Sequence, residues 1–118
     1  MQPSAYINQM IASAQNGEEE AWAVLYQHYY PRLYTTALHL CGASPDTKDL
    51  VQDSFITAYL KLSQLKDSAS FESWIRSILV HKCYRWLKRK KKTLFLISND
   101  FGENSVKAHS VQCSTAVQ

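Results

Sequence analysis

Residues 44–65 read SPDTKDLVQDSFITAYLKLSQL, and they contain the best delimited helix of the chain. Ser44 suits the capping position of a helix, Pro45 suits the first helical position, and Asp46 places an acid in the first turn. These three successive signals predict that a helix begins here. Its apolar residues recur at helical spacing on one side. They are Leu50, Val51, Phe55, Ala58, Leu62 and Leu65.

Two helices are predicted before this one. The first covers residues 6–14, where Tyr6, Ile7, Met10, Ile11 and Ala14 recur at helical spacing, and Asn16-Gly17 suits a left-handed cap. The second carries an apolar series from Trp22 to Cys41, with Glu18–Glu20 at its N-terminus and Gly42 at its end. Pro31 lies inside it, and proline removes a backbone donor and clashes with the preceding turn. We therefore expect a kink near residues 27–30 or a break into two shorter helices.

A fourth helix is predicted to begin at Ser68 or Ser70 and to run into the basic residues 88–92. Its apolar positions are Phe71, Trp74, Ile75, Ile78, Leu79, Cys83, Trp86 and Leu87. The run TLFLI at 93–97 suits either a strand or a helical turn, and residues 98–118 have no clear period. The pattern predicts an all-α, compact bundle of four to five helices over residues 1–92. Residues 93–118 are predicted to be a linker or a poorly ordered tail.

Composition limits the class of protein. The chain has 118 residues, of which 46% are hydrophobic, with three Gly and three Pro, as expected of one folded domain. No apolar run approaches the roughly 18 residues of a membrane span and no signal peptide is evident, so we expect a cytoplasmic protein without membrane partners. The three cysteines are odd in number and widely spaced, which argues against a disulfide framework or a zinc site. We expect Cys41 and Cys83 to be small core residues.

Charge is divided unevenly along the chain. Residues 1–72 contain four basic and eight acidic side chains, whereas residues 73–92 contain eight basic side chains and no acid. A concentrated positive surface attracts polyanions such as nucleic acid, and a mildly acidic surface suits a basic protein. The sequence therefore predicts two different macromolecular partners.

Four pieces of sequence then carry a family resemblance. They are LYQHYYPRLY at 25–34, DTKDLVQDSF at 46–55, FESWI at 71–75 and the basic end of the fourth helix. In this order, over residues 18–92, they resemble region 2 of bacterial RNA polymerase sigma factors of the extracytoplasmic-function group. The resemblance implies an all-helical domain that docks on the polymerase core and recognises and helps melt the promoter −10 element. It implies no catalytic activity, no small-molecule substrate and no cofactor, and it allows an anti-sigma factor as a further partner.

The third helix has a polar side as well as an apolar one. Asp49, Gln52 and Asp53 lie at one-turn spacing opposite Leu50 and Phe55, so we expect them to face solvent. By pattern alone this is an ordinary solvated helix face. The resemblance implies instead that these three residues bind the clamp helices of the largest polymerase subunit. Asp53 stands where Glu is commoner in the family, which keeps the charge and shortens the reach.

The fourth helix and the loop before it supply the predicted nucleic-acid contacts. Basic side chains interleaved with aromatic ones attract phosphates in a salt-dependent way. The resemblance implies that the loop also forms most of a pocket for an unstacked base. The predicted DNA-binding residues are Leu65, Lys66, Asp67 and Ser68 in the loop and Arg76, His81, Lys82, Arg85, Trp86, Lys88 and Arg89 on the helix. His81 and Arg85 stand where the family commonly has Asn and Asp.

Alternatives remain open from the sequence. The 26 residues after Lys92 are too few for the second DNA-binding domain of the family, so we expect an excised domain, a truncated product or a stand-alone form. The main alternative function is a basic helical adaptor or regulator that binds nucleic acid without sigma activity. An enzyme is not expected, because the sequence has no Gly-rich phosphate loop, no HExxH motif and no nucleophile elbow.

Overall fold

The computed structural model describes the backbone of residues 3–101 and the side chains of residues 5–97. Four helices follow one another: α1 (Pro3–Gln15), α2 (Glu19–Cys41), α3 (Pro45–Leu60) and α4 (Phe71–Phe101). Two short 3-10 helices, Leu62–Gln64 and Ser68–Ser70, lie between α3 and α4. The described range contains no strand, so the all-α prediction is confirmed. Within this range no helix has the length and apolar character needed to span a bilayer.

The start of α3 follows its sequence signals. The Ser44 hydroxyl accepts a hydrogen bond from the Asp46 amide at 3.1 Å, and Pro45 occupies the first turn. Thr47 is fully buried and its hydroxyl donates to the Gly42 carbonyl at 2.6 Å. The Ser44 cap satisfies one of the backbone donors that a helix start leaves free. The beginning of α3, and with it the orientation of its polar side, is thereby fixed.

Helix α2 is continuous through Pro31, so the predicted alternative of a break into two helices is wrong. Proline costs one backbone hydrogen bond and some steric strain, on the order of 3 kcal/mol. Burial on both sides of the proline offsets that cost, because Leu25 and Leu33 are fully buried and Tyr29 is 6% exposed. Each such side chain contributes roughly 1.5–3 kcal/mol when buried.

The core lies where α2 packs against the other three helices. Phe71, at the first turn of α4, is 1% exposed. The centroid of its ring lies 5.2 Å from the ring centroid of Tyr29, 6.4 Å from that of Trp22 and 5.9 Å from that of Trp74. In α1 the predicted apolar side is partly wrong. Tyr6 is 52% exposed, whereas Ile7 and Ile11 are buried.

Helix α4 begins close to its predicted start but ends later than expected. The turn Ser68–Ser70 is a 3-10 helix that leads directly into α4 at Phe71. The helix continues past Lys92 to Phe101, so residues 93–97 are helical and the strand alternative is wrong. Residues 102–118 of the predicted tail lie outside the described range. The division of the chain at residue 92 stays a prediction.

The two described cysteines meet in the core between α2 and α4. Cys83 is fully buried and Cys41 is partly buried. Burial raises the pKa of the Cys83 thiol to about 12 and also raises the pKa of Cys41. Both thiols are therefore protonated at neutral pH. The core prediction is confirmed for Cys83, and Cys41 packs at the edge of the core.

Candidate functional site

The polar side of α3 faces solvent. Asp49, Gln52 and Asp53 are all exposed, whereas Val51 on the opposite side is 0% exposed. We refer to Asp49, Gln52 and Asp53 as the acidic surface. It presents two carboxylates and an amide within little more than one helical turn. Such a group suits a partner rich in lysine and arginine.

The acidic surface forms one wall of a groove, and α4 forms the other. This interhelical groove has a volume of about 630 Å³, and its walls are residues 46–56 of α3 and residues 86–93 of α4. Two contacts join α3 to α4 at or beside this groove. Trp86 Nε1 donates to Asp46 Oδ2 at 2.8 Å, and Lys82 Nζ lies 3.2 Å from Asp53 Oδ2. Trp86 and Lys82, both predicted to bind DNA, therefore contact α3 in this structure.

A second group of basic residues lies on a different side of α4. His81, Arg85, Lys88 and Lys92 recur at three- and four-residue steps and are all exposed. We refer to these four residues as the basic face. Its first two members border a shallow groove of about 410 Å³ together with Lys61 from the end of α3. Of the predicted DNA-binding residues of α4, His81, Arg85 and Lys88 thus belong to the basic face, whereas Lys82 and Trp86 contact α3. Arg89 borders grooves on both sides.

The loop between α3 and α4 is held by α1. Gln15 Nε2 donates to the carbonyls of Leu62 and Leu65 at 3.2 and 2.9 Å. Asp67 caps the turn that follows, accepting from the Ala69 amide at 3.1 Å. Leu65 is 8% exposed, so its side chain belongs to the core rather than to a base-binding surface. Of the other predicted DNA-binding residues in this loop, Lys66 and Asp67 are exposed and Ser68 is partly exposed.

Arg76, also predicted to bind DNA, belongs to an ion-pair network. Its guanidinium lies 2.9 Å from Glu72 Oε2, and the other oxygen of Glu72 lies 3.0 Å from Arg32 of α2. Burial raises the pKa of the neighbouring Tyr29 hydroxyl above its ordinary value, and the charge of Glu72 raises it further. These partly exposed pairs are worth little individually. Their main effect is to orient Arg76 along α4.

Two supporting residues escaped the sequence analysis. Gln15 is the last residue of α1, and no local pattern marks a glutamine whose partners lie 47 and 50 positions away. Asp46 was recognised only as a helix-start acid, although its carboxylate also accepts from Trp86 across 40 positions. Contacts of this kind depend on how the helices pack, which a spacing pattern does not specify.

Comparison with known proteins assigns the chain to a family. The family model described as Sigma-70 region 2 matches residues 25–93, which is more than half of the chain. The chain belongs to the sigma-70 region 2 family. The match covers most of α2, all of α3 and the part of α4 that contains the basic face. Helix α1, whose Gln15 holds the loop, lies before the segment that defines a sigma region 2 domain.

Two curated sigma factors are similar to this region 2 chain. The ECF RNA polymerase sigma factor SigW of Bacillus subtilis (strain 168) is 21% identical over 104 residues, which cover 88% of this chain and 56% of SigW. The RNA polymerase sigma factor YlaC of the same strain is 28% identical over 71 residues, covering 60% of this chain and 41% of YlaC. The chain thus spans about half the length of the curated relatives that it matches.

Proposed function

We propose that this chain is a transcription initiation factor domain that docks on the RNA polymerase core in the cytoplasm. In this proposal the acidic surface binds the clamp helices of the largest subunit. The basic face and the loop before α4 bind promoter DNA at the −10 element and help to melt it. The observation that carries the proposal is that two exposed surfaces of opposite charge are presented by adjacent helices of one sigma region 2 bundle.

The separation of the two surfaces supports distinct roles. Asp49 has no ion-pair partner among the described residues, so its charge is free to meet a cation of another protein. The basic face carries three permanent cations and a histidine with no carboxylate of the described chain paired to them. Each phosphate that such residues neutralise releases counterions and makes binding depend on salt.

The loop offers the polar groups that recognition of an unstacked base requires. Lys66 and Asp67 are exposed, and the backbone on either side of them is fixed by Gln15 and by the cap at Asp67. Extruding a base costs on the order of a few kcal/mol, and stacking it on an aromatic ring returns about 1–3 kcal/mol. A fixed loop reduces the additional cost of ordering the site during binding.

Core docking is tested by capture of RNA polymerase core with the immobilised chain. Asp49→Arg is expected to abolish capture. Its free energy of unfolding is expected to stay within about 0.5 kcal/mol of wild type, because the site is exposed. Glu20→Arg makes the same charge reversal at an exposed position in the first turn of α2 and is expected to leave capture intact. Equal capture by all three proteins would contradict the docking role.

The DNA role is tested by selecting single-stranded oligonucleotides from a random library with the chain bound to core. Enrichment of one short motif supports −10 recognition. The exposed cations of the basic face would also serve a nucleic-acid adaptor without sigma activity, and that alternative predicts no enriched motif. The binding of such an adaptor to an oligonucleotide would depend steeply on salt and would be equal for all sequences. An anti-sigma partner stays a prediction from the family resemblance.

A further inference from the structure

The interhelical groove carries charges of both signs on facing walls. Asp49 and Asp53 line it from α3, and Arg89 and Lys90 line it from α4. We propose that the whole groove is the polymerase-docking site, and that the partner presents carboxylates to Arg89 and Lys90 as well as cations to the acidic surface. This inference rests on the proposed function. It gives a protein-binding role to Arg89, which borders both this groove and the groove lined by Lys88.

The α4 wall is held in place by contacts of Trp86. The Lys90 ammonium lies 5.5 Å from the centre of the Trp86 ring, within the range of a cation–π contact. The indole of Trp86 is in turn fixed by its hydrogen bond to Asp46. Lys90 is therefore directed toward α3 and away from the basic face.

Charge complementarity identifies the occupant as a protein. A nucleic acid entering the groove would bring phosphates against the carboxylates of Asp46, Asp49 and Asp53, which line it. A uniformly basic protein would meet Arg89 and Lys90. A helix surface that carries both acidic and basic side chains satisfies both walls, and opposite charges across an interface fix its orientation. The apolar side chains of Leu50 and Ile56 also line the groove and give such a helix a non-polar contact.

Two lysines of α4 provide a matched test. Lys90 lines the interhelical groove, whereas Lys88, two residues earlier, borders a different groove with Arg85, Arg89 and Lys92. Two residues correspond to about 200° around a helix. Lys90→Glu and Lys88→Glu therefore make the same change in net charge on nearly opposite sides of α4.

The dissociation constants for polymerase core and for a single-stranded oligonucleotide are measured for both variants. Lys90→Glu is expected to weaken core binding about fivefold or more, and Lys88→Glu less than twofold, since facing charges at an interface are worth about 1 kcal/mol each. For the oligonucleotide, Lys88→Glu is expected to cause the larger loss. Lys90→Arg, which keeps the charge and the contact with the indole, is expected to bind core like wild type.

Each other outcome overturns the inference in a recognisable way. If both variants weaken core binding equally, or if Lys90→Glu binds core as well as wild type, the groove is not the docking site. If wild-type chain does not bind core at all, the proposed function itself is wrong. Thermal melts accompany each measurement. Should Lys90→Glu lower the melting temperature, Lys90→Gln replaces it, with an expected loss of about twofold for a neutralised rather than reversed charge.

Discussion

Replacing Trp86 with Phe tests the contact that joins the two walls of the groove. The substitution keeps an aromatic ring on α4 but removes the Nε1 donor, which lies 2.8 Å from Asp46 Oδ2. Hydrogen bonds to charged groups contribute about 1.5–3 kcal/mol, and both side chains are only partly buried, so we expect a loss of about 1.5 kcal/mol. For a domain of this size that corresponds to a fall in melting temperature of about 6–12 °C.

The assay is urea denaturation followed by circular dichroism, applied to a double-mutant cycle. The cycle consists of wild type, Trp86→Phe, Asp46→Ala and the double variant. If the hydrogen bond causes the loss, Trp86→Phe costs much less in the Asp46→Ala background than in wild type. An equal cost in both backgrounds would refute the reasoning and assign the effect to ring packing. Oligonucleotide binding by Trp86→Phe is expected to match wild type, because the indole serves the groove.

Three further predictions concern the core and the loop. Gln15→Ala removes the donor to the Leu62 and Leu65 carbonyls and is expected to lower the free energy of unfolding by about 1–2 kcal/mol. Amide hydrogen exchange in residues 62–70 is expected to become faster, and unchanged exchange would contradict the role of Gln15. Phe71→Ala is expected to destabilise the fold by about 3–5 kcal/mol in urea denaturation, because the ring is 1% exposed. A loss below about 1 kcal/mol would show that the packing of aromatic rings around Phe71 contributes little. The third prediction concerns Cys83, whose pKa is raised in the folded state from 9.0 to about 12. Above pH 9 the unfolded chain loses this proton while the folded chain keeps it, so stability falls as pH rises toward 12, and Cys83→Ala should show a shallower decline than wild type across this range.

The helices were predictable because their signals are local. Ser44, Pro45 and Asp46 mark the start of α3 within three residues, and the positive φ of Gly17 matches the left-handed cap expected after α1. The continuity of α2 through Pro31 was not predictable, since it depends on the burial that surrounds the proline. The extension of α4 beyond Lys92 was missed because an apolar run of five residues fits a strand and a helix equally well.

The candidate site was predictable in its components and less so in their arrangement. The solvent-facing side of α3 follows from helical spacing alone, and Asp49, Gln52 and Asp53 are exposed as expected. The basic residues of α4 were treated as one surface, although His81 and Lys90 lie on different sides. Which side of α4 faces α3 is set by the packing of the two helices. Only a three-dimensional arrangement places Lys82 beside Asp53.

The ion pair between Asp53 and Lys82 joins a residue of the proposed docking surface to a residue that the sequence predicts to bind DNA. In the free chain each charge partly neutralises the other at 3.2 Å. If a cation of the polymerase bound Asp53, the ion pair would break and Lys82 would become available to bind a phosphate. By thermodynamic reciprocity, a phosphate bound to Lys82 would make Asp53 available to the polymerase. The Asp53 side chain is 60% exposed and that of Lys82 is 20% exposed, so the cooperativity is worth about 1 kcal/mol, or roughly fivefold in affinity. That modest gain would favour the ternary assembly over either binary one.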